Sequence, residues 1–316
     1  MPNSVDNSEL IALRNYVEKQ REDVMDLTLR GFPSLKYFTT FTGVTGELLL
    51  EWRDIQKVIR PWANAFEAAA DQISRHPVRI KNYFQKAELT ISPKEDFSHY
   101  KGYLARTKMK ASEYPFAQYA MMKAAEKVRT QMEFDQAFTG AQVDPATNAT
   151  EIMDGLVTII ANDQAAGTPI LTPVTTGAPT PANIIDIVEL MDDSIDEEYR
   201  TNDMLLRCSP TNFRLYRRAY RAASGFHPGN PDTDAQGEIT LDGSGTKLVS
   251  CPGMRGSNRF ILTPLSNTYA AFDLESDSEV WEFEDDHRNI DAWLDHWFGV
   301  GFLIFDPRIL YINDQA

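Results

Sequence analysis

Residues 114–140, YPFAQYAMMKAAEKVRTQMEFDQAFTG, form the longest stretch of the chain with an uninterrupted helical period. Pro115 suits a first helical turn, and Gly140 suits a left-handed cap just past the last one. Ala117, Met121, Ala124, Val128 and Met132 recur at three- and four-residue steps, whereas Lys123, Lys127, Arg129 and Glu133 fall mainly off that line. The pattern predicts an amphipathic core helix over 114–139, about 38 Å long and able to cross a whole domain.

Around this helix, 316 residues of 42% hydrophobic content are enough for one large or two modest globular domains. A net charge of -15 argues against a protein whose main task is to grip phosphates, because such proteins carry a basic excess. The first 30 residues mix charges throughout and show no secretory signal. The longest apolar run, Val300 to Phe305 broken by Gly301, is too short to span a bilayer. Cys208 and Cys251 are expected to be reduced thiols.

In chain order, Ser4 to Leu29 intersperses charges with Leu10, Ile11, Leu13, Val17 and Val24, the pattern of an exposed or partner-packed helical arm. Gly43 to Leu50 offers turn glycines followed by a short strand or helix start, and Trp52 to Ala70 contains two helix-compatible halves split by Pro61. Pro77 to Ser92 is rich in β-branched and aromatic residues and is expected to be extended. After Gly140 a loose Gly/Pro/Thr connector runs to Pro181 and has room for a short exposed strand. Thr180 and Pro181 then open a helix with Ile184, Val188, Met191 and Ile195 on one face and Asp192 and Asp193 opposite. Met204 to Leu206 is a short strand, and Ser209 and Pro210 open a further helix closed by Gly225. Gly225 to Thr246 is a long exposed loop, and from Lys247 onward short strands alternate with turns. This order predicts an α+β architecture with a mixed, largely antiparallel sheet.

Chemistry-bearing patterns are few. Gly243 to Lys247 lacks the spacing of a phosphate loop and leads into a strand. Asp232, Asp234, Gln236 and Gly237 open like a calcium loop, but Gly243 stands where the bidentate acid is needed. Asp285, Asp286, His287, Asp291, Asp295 and His296 gather carboxylates and imidazoles, interleaved by Trp281, Trp293 and Trp297. A metal-dependent hydrolase using His287 and His296 is therefore one reading, and a polar strand edge is the other. No nucleophile signature is present, and no cofactor is expected. Arg214, Arg217, Arg218 and Arg221 share one face of the helix that starts at Pro210. Such a stripe is a solvated helix face or meets an acidic counterpart. Nucleic acid is one candidate, and Glu279, Glu282 and Glu284, with Asp285 and Asp286, supply another in the same chain or a neighbouring copy, which the acidic net charge favours.

The order FDQAFTG (134–140), IIDIVELMDDSIDEEYR (184–200), LLRCSPTNFRLYRRAY (205–220), KLVSCPGMRGSNRFILTPLSNTYAAFD (247–273) and WFGVGFLIFDPRILYIN (297–313) resembles the tailed-phage major capsid protein family, the Hong Kong 97-type fold. The likeness covers most of residues 77–316 and is poorer over 1–76. It implies an N-terminal arm over 1–45, an extended loop and peripheral domain over 46–179 with its spine helix at 114–139, an axial domain over 180–285, and C-terminal strands over 286–316 returning to the peripheral domain. It also implies a non-enzymatic subunit that assembles with itself into pentamers and hexamers around double-stranded DNA held by proximity alone. Expected partners are a separate scaffolding protein, a portal and decoration proteins, with no membrane. An encapsulin-type compartment shell is the nearest alternative. The arginine face and the three glutamates are the expected inter-subunit contacts.

Overall fold

The computed structural model describes residues 32–55, 73–108, 116–200, 203–225, 237–273, 282–286 and 289–315. Ser4 to Leu29, the Pro61 break and the calcium-like start at Asp232 lie outside them. In order, the chain forms β1 (Thr39–Phe41), β2 (Glu47–Ile55), β3 (Ile73–Lys81), β4 (Tyr83–Ile91), α1 (Pro93–Thr107) and α2 (Phe116–Gln131). There follow α3 (Leu156–Ala165), α4 (Ile184–Asp193), β5 (Met204–Cys208), α5 (Pro210–Ser224), β6 (Glu238–Thr240), β7 (Lys247–Ser250) and β8 (Ile261–Pro264). The last are β9 (Thr268–Phe272), β10 (Glu282–Asp286), β11 (Asn289–Phe302) and β12 (Tyr311–Ile312).

Among the described residues the strands make two five-stranded sheets and a separate ribbon. In the first sheet β11 is the spine: β9 and β10 pair with one of its edges and β4 with the other, and β1 adds in parallel to β9. The second sheet has the order β12-β8-β5-β7-β6, with only β5 and β7 parallel. The ribbon is β2 against β3, which covers Trp52 to Ile55 and so replaces the helix expected from Trp52 onward with an extended strand. The pleat of β5 divides the hydrophobic interior: Leu205 faces a core shared with α2, α3 and the first sheet, while Met204, Leu206 and Cys208 face a second core under α4 and α5. Both cysteines are buried free thiols.

The long helix departs from expectation at its C-terminal end. α2 is regular to Gln131, after which Met132–Gln136 widens into a π turn, closed by the Ala137 N–H donating to the Met132 carbonyl at 2.9 Å. Gly140 is not a left-handed cap. A Cβ there would lie 2.6 Å from the Met153 carbonyl oxygen, so the residue is small because another segment crosses it. Glu133, expected on the polar side, is fully buried. Its carboxylate accepts from Ser34 N at 3.0 Å and Ser34 Oγ at 2.6 Å on one side, and from Gly253 N at 2.6 Å on the other. At Gly253 a Cβ would meet the Glu133 carbonyl oxygen at 2.2 Å, so no other residue fits without displacing the turn.

Residues 32–41 thus act as a clamp between the two sheets. Phe32 and Phe38 pack edge-on against Phe298 and Phe138, respectively. The Tyr37 carbonyl accepts from Arg207 Nη2 at 2.8 Å, and the Tyr37 hydroxyl donates to Glu238 at 3.1 Å, which also pairs with Lys36. Burial lowers Arg207 to about 10, still fully cationic at neutral pH.

Three further expectations change. The connector after Gly140 contains α3, whose Leu156 and Ile160 are fully buried; of a strand it shows only an isolated bridge from Val174 to Asn313. α4 begins at Ile184, because Asn183 Oδ1 accepts from Thr180 N and Oγ1, each at 2.7 Å, and holds Thr180 and Pro181 in a turn ahead of the helix. Asp192 is buried, receiving Arg200 at 3.3 Å, while Asp193 is exposed.

Removing the Glu133 carboxylate strands the Ser34 and Gly253 amides in the interior, so Glu133→Ala is expected to cost about 2–4 kcal/mol by chemical denaturation. Burial raises the Glu133 pKa, with the hydrogen bonds from Ser34 and Gly253 opposing that shift. A carboxyl with a raised folded-state pKa contributes most when protonated and loses stability as pH rises. The stability difference between wild type and Glu133→Gln should therefore shift toward wild type as pH falls from neutral toward the ordinary glutamate value.

Candidate assembly surfaces

α5 is defined locally. The Ser209 Oγ accepts from Asn212 N at 3.3 Å at its start, Pro210 occupies its first turn, and Gly225 adopts φ 73 at its end. Phe213 and Tyr216 are buried against the second sheet. That fixes the rotation of the helix, so Arg214, Arg218 and Arg221 are exposed and Arg217 is half-buried, all on the side away from the core. The structure brings these four together as expected. It does not bring the acidic strand beside them: Glu284 is exposed on β10, which belongs to the other sheet. Glu279 and the side chain of Glu282 lie outside the described residues.

The β2–β3 ribbon is a second exposed surface. Its nine cross-strand pairs put Glu47, Leu49, Glu51 and Arg53 on one face with Lys81, Arg79, Pro77 and Arg75. Leu49 is 67% exposed, and Ile73, at the far end of the ribbon, 56%. The basic side chains are only partly offset, by the Arg53–Glu51 pair at 2.8 Å and the Arg79–Glu47 pair at 3.7 Å. An isolated two-stranded ribbon is marginal in water. Here its root is fastened where Val44 N donates to the Phe272 carbonyl of β9 at 3.0 Å, and its far half where Arg308 meets Asp54 at 3.2 Å.

The carboxylate–imidazole cluster is taken apart by the pleat of β11. Ala292, Leu294, His296 and Phe298 alternate as buried residues, and Asp291, Trp293, Asp295 and Trp297 point the other way. Asp291 accepts from Thr90 Oγ1 at 2.8 Å on the outer face, so it cannot share an ion with His296. His287 and Trp281 lie outside the described residues, among which no group of three or more metal-ligating side chains occurs. Among the described residues His296 therefore has no carboxylate partner for an ion, and the part of the hydrolase reading that rests on His287 lies outside them.

His296 instead lines a cavity of about 690 Å³ between β4, α2 and residues 142–152, beside Gln85 and Gln136, whose side-chain amides hydrogen-bond to each other. It is 5% exposed, and neither ring nitrogen has a hydrogen-bond partner among the described residues. Burial pushes its pKa down to about 4. A base depressed in the folded state contributes stability above its ordinary value and loses it as pH falls toward the folded one. Between pH 6.5 and about 4 the wild type should lose about 3 kcal/mol that His296→Leu does not lose, read from urea midpoints at matched pH.

Among the described residues no helix is long and apolar enough to cross a membrane. No protein-family model and no curated protein matches the sequence. Solved structures do. The capsid of an empty GTA particle aligns over 90% of this chain and 92% of its own, with TM-score 0.56 and 12% identity. The capsid of cyanophage A-1(L) aligns over 90% and 94%, with TM-score 0.55 and 13% identity. The chain has the Hong Kong 97-type capsid fold. The procapsid of satellite phage P4 agrees, over 98% of this chain and 97% of its own, with TM-score 0.51 and 11% identity. The expectation of an α+β capsid fold is therefore met, and at these identities what the likeness shows is the fold.

Proposed function

We propose that the protein is a major capsid protein, a structural subunit that assembles with itself into the pentamers and hexamers of an icosahedral head enclosing double-stranded DNA. One observation carries this reading: the capsid fold extends over at least 90% of the chain and of each compared capsid subunit, so little of the chain is left for another task. The charge supports it, because an inner surface belonging to a chain of net charge -15 does not bind the packaged polyanion tightly. In this reading the protein resides in the virion after assembly in the host cytoplasm, with a separate scaffolding protein, a portal and decoration proteins as partners.

The two sheets suggest how the subunit is divided. The peripheral domain takes the sheet built on β11 with α2 and α3, and the axial domain takes the second sheet with α4 and α5. The β2–β3 ribbon is the extended loop, and its exposed Leu49 and Ile73 are what a neighbouring subunit would cover. Arg214, Arg217, Arg218 and Arg221 lie between subunits, opposite an acidic surface of a neighbouring copy.

Expression of the chain alone and with neighbouring phage genes, followed by sedimentation and electron microscopy, should give closed shells or capsomer rings. Nucleic acid within the native particles separates a phage head from an encapsulin-type compartment, which would enclose protein. A small discrete species under every condition would contradict the proposal. Arg217→Glu with Arg218→Glu is expected to leave a folded monomer that does not assemble, and normal particles from this double variant would remove the arginine face from the interface.

A further inference from the structure

The outer layer of the second sheet carries two charged faces of opposite sign on adjacent helices. α4 buries Ile184, Ile187, Val188 and Met191, which turns Asp186, Glu189 and Asp193 outward around Leu190, itself 45% exposed. α5 turns Arg214, Arg218 and Arg221 outward by the same logic. On both helices the outer charges span eight residues, a line of about 10 Å, so the two faces match in length and are opposite in sign. The ion pairs of nearby acids, Asp192 and Glu197 with Arg200, leave Asp186, Glu189 and Asp193 out.

We propose that the arginine face of α5 on one copy of this chain seats on the acidic face of α4 on a second copy. The inference deepens the shell reading and rests on it. It names as counterpart a surface of the same sheet layer, in place of the acidic strand β10. A nucleic acid would meet the acidic face alongside the basic one and be repelled by it, whereas a second copy offers the complementary sign at the same spacing. Contact would also cover Leu190, a large apolar side chain in the middle of a charged surface. Because two different patches meet, each copy gives its basic face to one neighbour and its acidic face to another, the heterologous arrangement that closes into rings. The charges are solvent-facing before contact, so assembly should weaken with salt as the screening length drops below about 8 Å.

The test uses the full chain and a charge exchange. Arg214→Glu with Arg218→Glu should lower the yield of particles or rings at least about tenfold by sedimentation, with circular dichroism and thermal midpoint unchanged. Adding Asp186→Arg and Asp193→Arg to that variant should restore assembly to at least about half of wild type, a readout that a folding defect would not produce. Particles from wild type with no effect of the arginine reversal, or no rescue by the α4 reversal, would overturn the pairing while leaving the shell reading intact. Rescue by Glu282→Lys with Glu284→Lys instead would assign the counterpart to β10 and overturn it as well. A wild-type chain that sediments as a monomer at every concentration and salt tested would overturn both.

Discussion

The Glu133 carboxylate is the constraint on which the subunit depends. It sits in a π turn at the end of the longest helix and accepts hydrogen bonds from Ser34 and from Gly253, segments 99 and 120 residues away in the chain. A buried carboxylate is costly unless its lone pairs are filled. Here they are filled by groups from the clamp and from the turn after β7, so satisfying one charge fixes three parts of the fold relative to one another. The π turn has a structural role in this arrangement, since it accompanies a polar side chain on the buried side of a helix that is otherwise apolar there.

From this point the architecture extends in two directions. The ring of Phe32 ties the clamp to Phe298 in the first sheet, the ring of Phe38 ties it to Phe138 after the π turn, and the Tyr37 carbonyl ties it to Arg207 in the second sheet. β5 is the wall between the two cores, with one side of its pleat under the clamp and the other under α4 and α5. A rigid junction of this kind leaves the ribbon and the outward faces of α4 and α5 free to be contact surfaces, while the inward faces of the two helices close the second core. That division suits a shell protein, which must hold its own shape while its exposed apolar and charged surfaces meet copies of itself.

The elements that local chemistry determines were legible in the sequence. Ser209, Pro210 and Gly225 mark the ends of α5, and the arginine stripe follows from helical spacing alone. The strands after Lys247 announce themselves by β-branched and aromatic runs between turns. What local chemistry does not determine was missed. Residues 156–165, LVTIIANDQA, place β-branched residues beside one another, and the flanking glycines and prolines concealed a helix that packing stabilises. Glu133 looked like part of a solvated helix face because its partners come from distant segments. Gly140 resembled a cap, while its small size serves the close passage of Met153. His296 and Asp295 are adjacent in sequence and on opposite faces of a strand, so proximity along the chain suggested a cluster that the pleat separates. The acidic face of α4 was half visible: the sequence marked Asp192 and Asp193, but the rotation of the helix buries the first and adds Asp186 and Glu189 to the second.

The most direct test of the central claim, that one buried carboxylate couples the clamp to both sheets, is native-state hydrogen exchange at the Ser34 and Gly253 amides. If Glu133 joins these segments, both amides should exchange only through global opening, at the free energy shared by the β5 amides, and both should become locally exchangeable together in Glu133→Gln. Fast exchange of Ser34 in the wild type while β5 stays protected would mean that the clamp opens independently, and would contradict the account.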